Sequence, residues 1–582
     1  MKNVKNLFGM AVMATALVGC SSNDNLNPNA NDNAGKAGEA YAKFTIQLPT
    51  VSGTRADDPK PGSPFFEGGT AEEYAVKDAQ LLIFQKSGRS EGDYKFVETV
   101  NIGNLEPWTD NTPNTGVTRY ANITAQLNGV SLDQTGNEYF ALVILNNAGE
   151  SKVTLPTKTP ETTYSAWNVA AKAKGAAAFL DSSKGFYMAN APLYSTGEPT
   201  TLVPIKGVYS TKAEAQTNPA TTVYVERGMA KVTVNGSDFK IDDASSIYNT
   251  DMVKINKWTL DVLNKSTFPV HVTTGLATDF NDIWTTPRFV ATGSTPQRVY
   301  WGKDPNYNTS PLTPLTTVAE CQKEFYIVDN NGKTYNGDPS STFTWSANTT
   351  PLYCLENTFD INNMKQGQTT RVVLKATYTP HNLTSPTDKT FFMIGKNTQI
   401  WTKDALVAQI TSKAKEMRNS TAVTVTINTD APLLKGGSHL LSAADVTITD
   451  GTDITATFDY ATLNTKLGLD NTETDANGNP KVGIKTYENG ECYYIARIKH
   501  FNELTPWSSG EETYGTNNKK YLGRYGVLRN NWYDLTVSKV SAPGYPDVPV
   551  VNPTDPDDED TKFINVEVKI LDWAKRTQDV QL

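Results

Sequence analysis

The chain has 582 residues, more than one hydrophobic core usually supports, so two β-rich domains are expected. Apolar residues make up 38% and aromatic residues 10%, enough to fill packed cores in a chain whose hydropathy is that of a soluble protein. The formal net charge is −9, and no basic stretch interleaved with aromatic residues occurs. From these features we expect neither an integral membrane protein nor a nucleic-acid partner.

The first twenty residues have the features of an export signal. Lys2 and Lys5 precede an apolar run at residues 7–18 that is too short to span a bilayer, and the run ends in Leu17-Val18-Gly19-Cys20. This ending has the form of a lipobox, which predicts lipidation of Cys20. An ordinary signal peptide that contains a cysteine is the alternative. Residues 21–40 are rich in Asn, Asp, Gly and Ala and predict a tether between the lipid and the fold.

Strand patterns dominate the chain after residue 40. Ala42, Phe44, Ile46 and Leu48 alternate with polar residues and predict a half-buried strand that ends at Pro49. Continuous apolar runs at 81–84 and 140–145 predict strands covered on both faces. Alternation with a period of two recurs around residues 223–234, 258–262, 372–378, 423–427, 493–498 and 533–537.

Two stretches have a helical pattern. Residues 163–180 are rich in Ala, and within 402–417 the side chains of Leu406, Ile410 and Ala414 share one helix face. Many short strands separated by polar, Gly- and Asn-rich loops favour β-sandwiches, with a domain boundary near residues 235–245.

The last forty residues change in character. Proline and acidic residues at 543–560 predict an extended, self-repelling, solvated spacer. It is followed by an amphipathic strand with Ile564, Val566, Val568 and Ile570, and then by Trp573. A strand with no obvious partner nearby invites pairing with another chain. From composition alone, folding back as an edge strand of its own C-terminal domain is an equal alternative.

A polar loop follows the first strand. Residues 51–59 contain Gly53, Pro59 and a single basic residue, Arg55, and exposed loops of this kind are where proteases cut. A trypsin-like protease would cut this loop after Arg55, although any exposed loop can contain an arginine.

No catalytic or metal-binding pattern occurs. The four histidines, His271, His381, His439 and His500, have no neighbouring cysteine or nucleophile elbow, so packing or surface roles are expected. Beyond Cys20, the three cysteines Cys321, Cys354 and Cys492 lack metal-site spacing and allow at most one disulfide. We expect no enzyme activity, no metal and no cofactor.

Several short motifs occur in a specific order along the whole chain. They are the lipobox, the first strand with its Thr54-Arg55-Ala56 loop, YVERGMAKV (224–232), YCLENT (353–358), CYY (492–494), RNNWY (529–533), GYP (544–546) and the final Trp573. Together they resemble the Mfa-type major fimbrillins, the shaft subunits of type V pili in Bacteroidetes-type bacteria. Residues 265–350 and 430–480 match no family pattern, so the resemblance implies no adhesion target.

The resemblance implies a mechanism of assembly. Lipid on Cys20 carries the precursor to the outer membrane, an Arg-specific protease cuts after Arg55, and the first strand is displaced. The C-terminal strand of a neighbouring copy, about residues 562–582, then fills the vacated groove. Head-to-tail copies form a cell-surface fimbria that serves adhesion and colonisation, together with anchor and tip subunits.

The predicted fold class is mostly β, with two transthyretin-like or Greek-key β-sandwich domains, a few short helices and a C-terminal donor strand. We expect a signal peptide (1–20), a tether and first strand removed on maturation (21–55), an N-terminal sandwich (56–240), a C-terminal sandwich (241–545), an acidic linker (546–562) and the donor strand (563–582).

A surface glycan-binding lipoprotein is the alternative function. Its sugar-stacking faces would come from tryptophans, at positions 108, 167, 258, 284, 301, 345, 401, 507 and 532. Such a protein keeps its tether and has no use for a cleaved first strand or a donor strand. An anchor subunit would retain its lipid and a tip subunit need not donate a strand, so Arg55 and the C-terminal strand together favour a shaft subunit.

Overall fold

The computed structural model describes fifteen segments of the chain, and every structural statement concerns these residues. They are residues 39–49, 70–105, 109–110, 117–147, 152–171, 173–174, 179–279, 297–307, 315–338, 343–383, 388–451, 457–475, 478–501, 521–557 and 564–572. Most regular structure in them is β, which confirms the predicted fold class.

The strands of the N-terminal region precede Gly228. They are β1 (Ala40–Pro49), β2 (Ala79–Gln85), β3 (Lys95–Gly103), β4 (Thr109–Asp110), β5 (Val117–Leu127), β6 (Tyr139–Leu145), β7 (Ala173–Lys174), β8 (Met188–Asn190), β9 (Leu193–Tyr194), β10 (Val203–Pro204) and β11 (Thr221–Arg227).

The remaining strands follow Gly228. They are β12 (Met229–Asn235), β13 (Asp238–Lys240), β14 (Met252–Asp261), β15 (Leu263–Asn264), β16 (Ser266–Thr267), β17 (Gln297–Arg298), β18 (Phe325–Tyr326), β19 (Leu352–Leu355), β20 (Arg371–Thr379), β21 (Phe391–Ile394), β22 (Val423–Ile427), β23 (Gly437–His439), β24 (Val446–Asp450), β25 (Asp470–Thr474), β26 (Pro480–Val482), β27 (Ile484–Tyr487), β28 (Glu491–Arg497), β29 (Asn531–Val540) and β30 (Ile564–Asp572).

Helices are short, with one exception. The α-helices are α1 (Ala71–Tyr74), α2 (Tyr164–Ala170), α3 (Lys212–Thr217), α4 (Leu276–Asp279), α5 (Val318–Glu324), α6 (Lys403–Arg418) and α7 (Tyr460–Lys466). Single 3₁₀ turns lie at Glu91–Asp93, Ser182–Lys184, Gln366–Gln368, Pro432–Leu434 and Glu488–Gly490. None of the helices in the described parts of the chain combines the length and apolarity needed to cross a bilayer.

The N-terminal region is built on a nine-stranded sheet. Its order is β3-β2-β6-β8-β11-β1-β5-β4, with β10 added beside β6. One face forms a core to which distant strands contribute, including Phe44, Ile83, Ile123 and Val143, so the sheet curls around that face. Residues 81–84 and 141–145 are buried throughout, as the predicted two-sided coverage of these strands requires.

The C-terminal region is a sandwich of two four-stranded sheets. One sheet has the order β19-β12-β29-β30 and the other β13-β14-β20-β28. Val234 and Leu535 of the first sheet pack in one core with Trp258, Leu374 and Tyr494 of the second. The alternating apolar residues predicted in these strands therefore face each other across the sandwich.

A further core lies within the range that we assigned to the C-terminal sandwich. Here α6 and α7 cover the sheets β21-β27-β23 and β22-β24, and Leu406, Ile410 and Ala414 are buried as the helical pattern predicts. The Thr402 hydroxyl accepts a hydrogen bond from Ala405 N at 3.3 Å, and the helix ends at Asn419 with φ 50°. This N-cap and left-handed C-cap explain the sharp limits of α6.

The first predicted helix was too long. Within residues 163–180, α2 is helical and residues 179–180 are helical again, but between them Ala173 and Lys174 form β7, which pairs with β16. Pairing with a distant strand overrides the helix propensity of this Ala-rich segment.

The predicted solvated spacer after residue 543 was also wrong up to residue 557. Val548 and Val551 are each 1% exposed, and Asp557 is fully buried. The segment packs against the C-terminal sandwich, where Val548 and Val551 are buried and the carbonyls of Gly544 and Pro549 accept hydrogen bonds from Tyr487 and Arg371.

The chain changes from one sheet system to the other at Gly228, whereas we placed the boundary at residue 240. A Cβ atom at Gly228 would lie 3.0 Å from Tyr187 Cδ1 and 3.1 Å from Phe179 Cε1, so these buried rings would have to shift by a few tenths of an ångström to admit a side chain.

Cys321, Cys354 and Cys492 are buried free thiols, and burial raises the pKa of each to about 12.

Buried charges connect the two regions at this crossing. Glu73 of α1 is 1% exposed, and its Oε1 lies 2.7 Å from Lys231 Nζ and accepts a hydrogen bond from the Tyr353 hydroxyl at 2.7 Å. Its backbone oxygen accepts from Arg227 Nε at 2.7 Å. Burial lowers the pKa of Arg227 to about 10 although Glu73 lies nearby. Glu73 thus fixes the segment that follows residues 50–69 to both regions.

Glu73→Gln is expected to destabilise the protein by about 3 kcal/mol, because it leaves the buried Lys231 ammonium without its carboxylate. Urea unfolding measures the loss, and the exposed neighbour Glu72→Gln is the matched control, with an unchanged midpoint. Equal midpoints for the two variants would contradict the structural role of Glu73.

Candidate functional site

The first strand, β1, lies inside the N-terminal sheet. It pairs antiparallel with β5 along its length, from Ala40 opposite Leu127 to Pro49 opposite Val117. On its other side it pairs parallel with β11, from Phe44 opposite Thr221 to Gln47 opposite Tyr224. Tyr41 N and O also bond to the backbone of Tyr209, at 2.8 and 2.9 Å. A strand with neighbours on both sides fills a slot in the sheet.

The inward face of β1 is a continuous part of the core. Ala40, Ala42, Phe44 and Ile46 are fully buried and Leu48 is 2% exposed. The structure therefore places the four predicted residues of the displaced strand on one face. Their exclusion from water contributes about 1.5 to 3 kcal/mol for each of the large side chains.

The opposite face of β1 carries polar contacts. Lys43 Nζ donates to the Gln216 carbonyl of α3 at 2.9 Å, and the Thr45 hydroxyl donates to Asn122 Oδ1 of β5 at 2.7 Å. Such contacts are replaceable by water or by other side chains, because they lie at the surface. Retention of β1 depends mainly on its inward face and its two ladders.

Removal of β1 would open a groove between β5 and β11. Its walls would expose unpaired backbone groups of both strands, and its floor would expose apolar residues of the core such as Ile123 and Val223. An open slot of this kind is unfavourable in water and binds another extended strand readily. Sequence patterns alone did not lead us to β5 and β11 as its walls, although alternation of Ile123, Ala125 and Leu127 was a usable signal.

The C-terminal strand β30 lies elsewhere in this structure. It pairs antiparallel with β29 at the edge of the C-terminal sandwich. In this register Ile564, Val566, Val568 and Ile570 lie opposite Val540, Val537, Leu535 and Tyr533, which are buried. The fold-back arrangement considered from the sequence is thus the one present here, and donation of β30 to a neighbour remains a prediction.

The remaining predicted site residues lie outside the described residues. They are the lipidation residue Cys20, the cleavage residues Arg55 and Ala56, and Trp573. The described chain stops at Pro49, at the end of β1, and resumes at Thr70, where Glu73 anchors α1. Residues 50–69, which contain Arg55, therefore connect β1 to α1 along the chain.

Titratable groups outside this slot have structural partners. Burial raises the pKa of Asp304 to about 8, but its Oδ2 accepts from Thr358 N and Asn264 Nδ2, each at 2.7 Å, and its Oδ1 accepts from Asn306 N at 2.6 Å. This carboxyl group holds three chain segments together. No group of three or more metal-binding side chains is found among the described residues.

The histidines pack against protein groups. His271 Nδ1 lies 2.9 Å from Glu226 Oε1, and His500 is hydrogen-bonded to the Tyr533 hydroxyl and the Tyr300 carbonyl, each at 2.7 Å. His381 contacts Asp251 Oδ1 at 2.6 Å, and His439 contacts the Lys435 carbonyl at 2.9 Å. Each contact fixes a histidine within the fold.

Solved structures give distant similarities. A fimbrilin (fimA) from Porphyromonas gingivalis W83 is 11% identical, covers 92% of this chain and 99% of its own, and has a TM-score of 0.37. A putative cell adhesion protein from Bacteroides eggerthii DSM 20697 is 11% identical with 93% and 97% covered and a TM-score of 0.34. The tip fimbrial protein Mfa3 from Porphyromonas gingivalis, with C-terminal truncation, is 11% identical, covers 92% of this chain and 100% of its own, and has a TM-score of 0.28. TM-scores below 0.5 carry no conclusion about function.

Curated protein sequences give no match. One protein-family model does match, at residues 485–579, and it is described as the C-terminal part of fimbrillin, the major fimbrial subunit protein type IV. This range begins in β27, contains β28 and β29, and includes β30. The C-terminal part of the chain, from β27 to the end of β30, is therefore similar to fimbrillin, which confirms over this range the resemblance given by the motif order.

Proposed function

We propose that this protein is the shaft subunit of a bacterial surface fimbria, exported as a lipoprotein through Cys20 and matured by a cut between Arg55 and Ala56. The observation that carries the proposal is the position of β1, which fills an internal slot of the sheet and is followed along the chain by the residues that contain Arg55. A single cut turns an integral strand into a replaceable one. The fimbrillin match at residues 485–579 supports the same assignment.

The replacing strand is β30 of a second copy. It has nine residues and β1 has ten, and both alternate apolar and polar residues, so the lengths and patterns suit one slot. In its own subunit β30 has β29 as its neighbour among the described strands, whereas the slot offers β5 and β11. Each additional net hydrogen bond contributes about 0.5 to 1.5 kcal/mol, which favours transfer.

Exchange proceeds by displacement. Loss of β1 before arrival of a donor would expose the core face and two strand edges, so the cut fragment stays bound until β30 of a neighbour pairs with β5 or β11. The donor's own β1 slot in turn accepts β30 of a further copy, and head-to-tail repetition extends a filament.

The remaining assignments rest on this role. The partners are copies of the same chain, anchor and tip subunits, the Arg-specific protease, and the outer membrane through the lipid of the precursor. The protein acts without catalysis and without a cofactor, in a cell-surface fimbria that mediates adhesion.

Limited digestion of the purified precursor with an Arg-specific protease tests the proposal. We expect a chain that starts at Ala56, followed by a ladder of multimers on electrophoresis without boiling. A precursor that is cut after Arg55 and stays monomeric contradicts the role and directs attention to glycan binding, which an array of glycans would detect.

Phe44→Ala is expected to weaken the binding of β1 by about 3 kcal/mol or more, because the side chain is fully buried. After the cut, more of the fragment ending at Arg55 should separate from the body on size exclusion, and multimers should form faster. Gln47→Ala, on the other face of β1, is the matched control. Identical fragment retention in the two variants would show that the inward face does not hold β1.

Deletion of residues 562–582 is expected to leave folded monomers that are cut normally and do not polymerise, because the acceptor slot then has no donor. Val568→Asp keeps the full length and should have the same effect, since a carboxylate is costly in an apolar groove. Normal filaments from either variant, seen by electron microscopy, would rule out β30 as the donor.

A further inference from the structure

The segment that joins β29 to β30 is bound to its own subunit over most of its length. Near its start, Tyr494 and Tyr487 donate hydroxyl hydrogen bonds to the carbonyls of Ala542 and Gly544, at 3.1 and 2.9 Å. Arg371 Nη2 donates to the Pro549 carbonyl at 2.6 Å. Between and beyond these points Val548 and Val551 are buried at 1% exposure.

The described part of this segment ends at a buried ion pair. Asp557 is fully buried, its Oδ1 lies 3.5 Å from Nη2 of the buried Arg524, and its Oδ2 accepts from the Thr369 hydroxyl at 3.2 Å. Asp557 N donates to the Met364 carbonyl at 3.2 Å, and Gln366 N donates to the Asp555 carbonyl at 3.0 Å. We call this set of contacts the Asp557 clasp.

Opening the clasp is costly. Withdrawal of Asp557 leaves the buried Arg524 guanidinium without this carboxylate, and separation of a buried ion pair is strongly destabilising. Detachment of the preceding residues would also expose Val548 and Val551. None of the contacts that form the clasp involves β30, so departure of β30 does not remove them.

We propose that the Asp557 clasp stays closed when β30 is donated, so that the connection between neighbouring subunits begins at residue 558. This inference rests on the proposed function. From Asp557 to Ile564 the chain advances seven residues and reaches at most about 25 Å, whereas release from Pro546 would give eighteen residues and a reach of at most about 65 Å. A closed clasp therefore limits the partner to a second copy held close by, and it sets the subunit spacing.

Hydrogen exchange on the full-length protein tests this directly. Amides of Gln366 and Asp557 should exchange about 100-fold or more slowly than an unprotected amide, in the uncut precursor and equally in assembled filaments. Loss of that protection on assembly overturns the inference while the proposed function stands. A cut protein that never assembles contradicts the proposed function and overturns the inference with it.

Asp557→Asn, compared with the exposed Asp555→Asn, gives a second readout. The two variants remove the same charge from the same segment, but only Asp557 faces Arg524. Filaments of D557N should show a broader and longer axial repeat by electron microscopy, by up to about 20 Å if residues 552–557 come free. D555N filaments should keep the wild-type repeat. If D557N filaments also keep it, with unchanged exchange at Gln366, the clasp does not set the spacing.

Discussion

The N-terminal sheet depends on β1, a strand that is internal to the sheet and lies just before the residues that contain the proposed cut site. β1 has a ladder on each side and five buried side chains beneath it, so the N-terminal sheet is complete only when some strand occupies this slot. The sheet does not require that the strand be covalently joined to the rest. Hydrophobic burial and backbone pairing are satisfied equally by a strand from another molecule, which is the physical basis of the proposed assembly.

Other parts of the structure would hold the slot in place during the proposed exchange. Glu73 anchors the chain just after residues 50–69 to Lys231 and Tyr353, and the proposed cut after Arg55 leaves these contacts in place. The C-terminal sandwich has its own core, and β30 lies at its edge, where loss of one strand would leave the two-sheet packing of that core in place. In the proposed exchange, the Asp557 clasp separates β30 from the part of the tail that stays bound.

Local patterns in the sequence predicted much of this fold. Alternation located β1, β14, β20 and β29, and the apolar spacing in residues 402–417 located α6, because in these places side-chain burial and secondary structure agree. The failures have a common cause. Residues 173–174 lie in an Ala-rich segment but pair with β16. The acidic tail up to Asp557 has the composition of a solvated segment, but Asp557 pairs with the buried Arg524, and Val548 and Val551 are buried. Partners distant in sequence decide these segments, and a single sequence does not show them.

For the site, the sequence identified the right face of β1 but not its neighbours. β11 is about 180 residues from β1 in sequence, and nothing in the alternation of Val223 and Val225 shows that their strand pairs parallel to β1.

The central claim is that β30 of one copy replaces β1 of another. Cross-linking mass spectrometry on filaments grown from mixed isotope-labelled and unlabelled cut protein tests it most directly. The account predicts links between β30 of one label and β5 of the other. Links from β30 only to β29 of the same label would contradict it.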